Sequence, residues 1–232
     1  MPDSRFVTGE LLFADDFHAL DPQKWVAELE RPGTVAARDG RLKIDVPAGC
    51  TVWFKPILDG PVMIEYDATV VAQGGKNDRV SDLNCFWMAI DARTPDDLFA
   101  LKRTGRFADY DQLRCYYVGL GGNGNTTTRF RRYIGEKENR PLRPDHDLRG
   151  AADLITPNVP QKIRLIAAGN VVQFWRGQKK LFELDDPAAY TRGHFALRTV
   201  TSHLSIRNFR VYRLRETEPV RPAVGPAVKV LP

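Results

Sequence analysis

Apolar and polar residues alternate with a period of two along most of this chain, as they do in strands that bury one face. In PVMIEYDATVV (61–71), Val62, Ile64, Tyr66, Ala68 and Val70 fall on one side, and Met63, Glu65, Asp67 and Thr69 on the other. Comparable runs lie at 11–17, 34–37, 41–46, 51–55, 161–168, 171–176, 179–184, 194–200 and 203–214. DLNCFWMAID (82–91) is largely apolar on both faces, which predicts a central strand. Asp39-Gly40, Asp59-Gly60, Gly169-Asn170 and Gly177-Gln178 punctuate these runs as turns. Helical patterning is scarce, and 95–101 is the best short helical turn. The stretches 92–109 and 135–160 read as long loops, which in compact domains are often functional. More than ten hairpin-connected strands with so little helix predict an all-β, antiparallel two-sheet sandwich or barrel. No internal repeat points to a propeller or solenoid. The expected organisation is an N-terminal extension (1–10), a single β domain (11–214) and a Pro-rich, poorly ordered tail (215–232).

One hairpin departs from ordinary strand composition. LRCYYVGLGGNGNTTTRFRRY (113–133) carries Arg, Tyr and Thr where a structural strand carries Val and Ile. Alternation puts Arg114, Tyr116 and Val118 on one face of its first strand, and Thr127, Arg129, Arg131 and Tyr133 together on its second. Guanidiniums and phenols side by side on one sheet face suit an anionic or hydroxyl-rich ligand such as an acidic sugar. The GGNGN turn (121–125) precedes no helix and lacks the Lys-Ser/Thr of a phosphate loop. Its Gly and Asn residues suit positive φ in a tight connection, with Asn125 within reach of a ligand.

Charge sharpens this picture. The chain of 232 residues carries a net +5, and residues 102–143 alone hold ten Lys/Arg against four Asp/Glu. Such a focused basic patch attracts anions. No helix-turn-helix, zinc-finger or RNA-recognition signature accompanies it, so the expected partner is an acidic oligo- or polysaccharide rather than nucleic acid. No apolar run is long enough to span a membrane, and the first residues lack the apolar segment of a secretory signal. The expected compartment is cytoplasmic, or periplasmic or secreted if a signal has been removed. Cys50, Cys85 and Cys115 form no CxxC pair, which argues against structural zinc. No cofactor is expected. Asp15 and Asp16 are the one candidate for a structural calcium, although that ion needs six or more oxygens.

The acid–base candidates are few. His146 sits between Asp145 and Asp147, whose carboxylates would favour its charged form. His203 lies beside a turn, across from Arg198. Tyr116 leads the phenols because it shares a face with Arg114, and a cation is what lowers a phenol's pKa.

The opening ADDF with Trp25, the hairpin VAARDGRLKID and the closing block GHFALRTVTSHLSIRNFRVYRL resemble the concanavalin-like β-jelly rolls of carbohydrate-active proteins. DLFALKRTGRFADYDQLRCYYVG is similar to the YesU-like family associated with rhamnogalacturonan utilisation. The resemblance implies a jelly-roll sandwich whose sheet cradles a glycan, and a lyase cleaving uronic-acid-containing glycans by β-elimination. In such lyases a Tyr or His removes the proton alpha to the uronate carboxyl, and Arg, Asn or Gln neutralises that carboxylate. Matched to this chain, Tyr116 or His203 would move the proton, with Arg114 and Arg129 as catalytic partners. Asn84, Arg131, Asn125, Gln173, Arg198 and His146 complete the expected substrate contacts. Two alternatives stay open, a glycoside hydrolase and a non-catalytic carbohydrate-binding module. The laminarinase-type pattern of three carboxylates on one strand is missing, since Glu65-Tyr66-Asp67 has no third acid.

Overall fold

The computed structural model describes residues 3–217. In chain order the strands are β1 (Phe6–Asp15), β2 (Trp25–Leu29), β3 (Thr34–Arg38), β4 (Arg41–Val46), β5 (Cys50–Asp59), β6 (Val62–Val70), β7 (Leu83–Asp91) and β8 (Leu113–Gly121). There follow β9 (Thr127–Ile134), β10 (Asp147–Leu148), β11 (Gln161–Ala168), β12 (Val171–Arg176), β13 (Lys179–Asp185), β14 (Arg192–Thr199) and β15 (Ser202–Glu216). They form two antiparallel sheets. One has the order β13-β12-β11-β6-β15-β4-β3, with β1 also on β15; the other runs β10-β9-β8-β7-β14-β5-β2. The protein is thus the all-β two-sheet sandwich that the period-two pattern predicts.

The alternation explains the core. Leu42, Ile44, Ile64, Leu204 and Ile206 from the eight-stranded sheet meet Val52, Phe54, Trp87, Val118 and Leu197 from the seven-stranded one. Each such burial removes apolar surface from water, worth roughly 1.5–3 kcal/mol per large side chain. The intervening residues face outward. On the eight-stranded sheet these include Glu65 and Asp67, which pair with Arg164, Lys162 and Arg207.

The boundaries differ from expectation at both ends. β1 begins at Phe6, which is buried with Leu214 and Trp175, and Phe6–Thr8 pair with Leu214–Glu216. Residues 6–10 and the start of the expected tail therefore belong to the sheet; residues 218–232 lie outside the described residues. β2, unassigned from sequence, is five residues long and carries an exposed Val26. The expected turn at 95–101 is a three-residue 3-10 turn, Leu98–Ala100, capped by the Asp97 carboxylate.

One feature of the seven-stranded sheet positions the site. Its outer face, away from the core, carries a second apolar layer of Trp53, Phe86, Cys115, Tyr117 and Ala196. Segment 92–112 folds over it with Leu98, Phe99, Phe107 and Tyr110. The segment is pinned by buried charges. Arg103 donates to the fully buried Asp91 carboxylate at 2.6 Å, and Tyr110 donates to Glu28 at 2.7 Å. Burial alone would raise the Asp91 pKa, but the Arg93 and Arg103 hydrogen bonds outweigh it and pull the group down to about 2. No helix among the described residues is long and apolar enough to cross a membrane.

Candidate functional site

What segment 92–112 leaves open is a cleft of about 520 Å³ over β7, β8 and β9. The antiparallel register fixes its floor. Tyr117 lies opposite Arg131 and Gly119 opposite Arg129, so these residues share the outer face, with Asn84 on β7 beside them. Phe107 forms one wall, and Glu138 and Arg140 a second. The rim runs through Asp82, Gly122, Asn123, Thr127 and Val200. The rim turn requires its residue types. Gly121 (φ 66°), Asn123 (φ 53°), Gly124 (φ 69°) and Asn125 (φ 62°) all occupy the left-handed region. A Cβ on Gly121 would also lie 2.3 Å from Ile155 Cδ1.

Three guanidiniums converge here with unequal partners. Arg129 grips Asp147 with two hydrogen bonds of 3.0 and 3.1 Å. Arg140 pairs with Asp111 at 3.4 Å and lies over the Phe107 ring at 4.7 Å. Arg131 donates to the Arg140 carbonyl and has no carboxylate in ion-pair range among the described residues. Burial, with Arg129 and Arg140 nearby, lowers its pKa, though a guanidinium stays charged throughout the physiological range. An anion placed against Arg131 would relieve that cost.

The neutral groups complete the picture. Asn84 is 3% exposed; its Nδ2 reaches toward Asp82 Oδ1 at 3.4 Å, and its Oδ1 has no donor among the described residues. A buried acceptor left unmet costs free energy, and a ligand hydroxyl would satisfy it. Asp82 is held by Ser81 Oγ at 2.6 Å and by Arg79 at 3.3 Å. Burial drives the Tyr117 phenol pKa far upward, so it stays protonated.

The structure gathers Asn84, Arg129 and Arg131 of the sequence-predicted set in this cleft and places the others elsewhere. Tyr116 points into the core between the sheets, donates to Asp186 at 2.7 Å and accepts from the Tyr190 amide at 2.9 Å. Burial raises its pKa, first of all, so it is no base. Arg114 stands opposite Ile134, two pairs along from Tyr116 and Arg132, at the exposed end of β8 on the face opposite Arg129. His203 lies on the outer face of the other sheet, paired with Asp78 at 2.8 Å in a separate groove with Arg41 and Lys43. Gln173 is also on that sheet, spent on Asp3, Glu183 and Trp175. Asn125 pins the 151–155 loop, with its amide group on Ile155 O and its oxygen on Ile155 N. Arg198 is 1% exposed beneath segment 92–112, donating to Gly105 O at 2.5 Å and Thr51 Oγ1 at 3.1 Å. His146 packs edge-on against Phe130 and Phe182, and burial outweighs its acidic neighbours and lowers its pKa. Asp15 is engaged by the Trp25 indole and the Phe17 amide, and Asp16 by Arg210. Sequence reasoning missed Phe107 and Arg140, and it ranked Tyr117 behind Tyr116 among the phenols.

The family of these residues is shown by comparison with known proteins. DUF6250, a domain of unknown function, matches residues 44–209, and the chain belongs to that family. No curated protein matches it significantly. Among solved structures, a Bacillus subtilis protein of unknown function with a galectin-like fold is similar at 18% identity and a TM-score of 0.71, over 91% of this chain and 100% of that one. The carbohydrate binding module CBM66 from Bacillus subtilis matches at 10% identity and a TM-score of 0.54, over 84% and 96%. An endo-beta-1,3-glucanase from Pyrococcus furiosus matches at 9% identity and a TM-score of 0.58, over 90% and 95%. These likenesses establish the jelly-roll, galectin-like fold.

Proposed function

We propose that this chain is a carbohydrate-active domain that holds an acidic glycan in the cleft over β7, β8 and β9. The observation that carries the reading is the pairing of two unmet needs on one floor. Arg131 is a half-buried guanidinium lacking a carboxylate partner among the described residues, and Asn84 Oδ1 is a buried acceptor lacking a donor. A uronic acid supplies one carboxylate and several hydroxyls, which answers both. The carbohydrate-binding and glucanase neighbours on the same fold support a glycan as the ligand class. Rhamnogalacturonan fragments, glucuronan and gum-type oligosaccharides are the first substrates to offer, in line with the sequence resemblance.

Recognition fits the geometry better than elimination does. β-Elimination needs a base at the proton alpha to the carboxylate. Tyr116 and His203, the residues expected to supply it, do not line the cleft. Tyr117 does line it, but as a protonated phenol suited to donating a hydrogen bond. Hydrolysis is the second reading, favoured by two carboxylates in the lining, Asp82 and Glu138. Calorimetric titration with each oligosaccharide, followed by long incubation, separates the three. Binding with no product supports recognition. Absorbance from a new C=C bond contradicts it in favour of a lyase, and new reducing ends without that absorbance in favour of a hydrolase. An absence of binding to every uronate glycan removes the acidic-glycan reading.

A further inference from the structure

We infer that the cleft captures the end of a glycan chain and excludes its interior, an inference that rests on the acidic-glycan reading above. The observation is the uneven burial of one sheet face. Thr51 and Trp53 on β5, and Ala196 and Arg198 on β14, point away from the core, yet all four are 1% exposed or less. Outward residues of a bare sheet would be wet; these are dry because segment 92–112 covers them.

The cover extends to the far edge of the sheet. Gly105 carries the carbonyl that takes Arg198, and it abuts β2 so closely that a Cβ on it would sit 2.5 Å from Glu30 N. Its φ of 82° independently favours glycine. A glycan lying across the strands from β9 therefore meets Phe107 and cannot continue over β14, β5 and β2. Along the strands the cleft is also closed at one end. There the Arg140 guanidinium lies 4.7 Å over the Phe107 ring, so the two covering segments meet. Access remains past the rim of Asp82, Asn123 and Val200. A cleft of about 520 Å³, walled on these two sides, admits a short terminal segment, with the last sugar against Arg131 and Phe107.

The test is calorimetric titration of the full chain with galacturonate oligosaccharides from dimer to octamer, each in native form, with its reducing end reduced, or with its non-reducing end made unsaturated. End capture predicts that affinity stops rising once the cleft is filled, changing by less than about twofold with further length. It predicts that altering one end costs about tenfold or more, while altering the other costs nothing, since opening or flattening the captured ring removes hydroxyl contacts and its fit to the cleft. Phe107→Ala opens the wall and restores a length dependence; its melting temperature, compared with wild type, shows that the segment still docks. Affinity that climbs steadily to the octamer, or indifference to both ends, overturns end capture while leaving the acidic-glycan reading intact. No binding at any length overturns both.

Discussion

At the residue scale, the difference between a ligand-ready side chain and a structural one is whether its partners are already supplied. Arg129 and Arg132 each hold an aspartate at 3.0 Å or less, whereas Arg131 does not. Arg131→Ala is expected to weaken acidic-oligosaccharide binding by about ten- to a hundredfold, the worth of one charged hydrogen-bonded contact, with the melting temperature little changed. Calorimetry and a thermal scan on the same sample check both halves. Tyr116→Phe should do the reverse: binding is unchanged, while unfolding in urea shows a loss of about 1–2 kcal/mol, because the buried Asp186 carboxylate loses a donor. His146 makes a pH prediction. Its pKa in the fold lies below the usual 6.5, so the unfolded chain binds more protons in the window beneath that value. The stability it confers is complete above 6.5 and is lost as the pH falls toward the folded value. His146→Leu should flatten the decline of the urea midpoint below about pH 6.5, leaving the part due to His194, which burial shifts the same way.

At the element scale, the covering segment and the hairpin register decide what the cleft contains. Arg103→Met leaves Asp91 buried with one fewer cation and should cost about 3 kcal/mol in urea unfolding. It should also speed amide exchange within 92–112 before it touches the sandwich core. The register explains what could be read from sequence and what could not. Strand positions and turns were legible because alternation and Asp-Gly or Gly-Asn punctuation are local. The pairing of β8 with β9 was not, because one residue more or less in the 121–126 turn moves every side chain of one strand to the other face. Arg114, Tyr116 and Arg129 look like neighbours in sequence pattern. Pairing Gly119 with Arg129, and Tyr116 with Arg132, separates them by the thickness of the sheet. Tyr117 takes the place in the cleft that Tyr116 was expected to hold.

At the scale of the whole molecule, the basic stretch is far less cationic in the fold than in the sequence. Of its ten Lys and Arg, several are met by acids distant in the chain, among them Asp91 for Arg103, Asp186 for Arg132, Asp147 for Arg129 and Glu30 for Arg106. A count over residues 102–143 could not anticipate these partners. The electrostatic claim therefore narrows from a patch to a site, and binding should respond accordingly. Raising the salt to about 0.5 M should weaken an acidic oligosaccharide several-fold and no more, since the contact at Arg131 is half-buried and only partly screened. Loss of all binding with salt would point instead to a diffuse surface field. The fold itself, two antiparallel sheets with a dry face-to-face core, follows from the alternation that runs through the chain. The most direct test of the account is a crystal structure of the protein with a bound galacturonate trisaccharide. The account predicts the sugar over β7, β8 and β9, with a carboxylate on Arg131 and a hydroxyl donating to Asn84 Oδ1. A trisaccharide in the His203 groove of the other sheet, with the cleft empty, would contradict it.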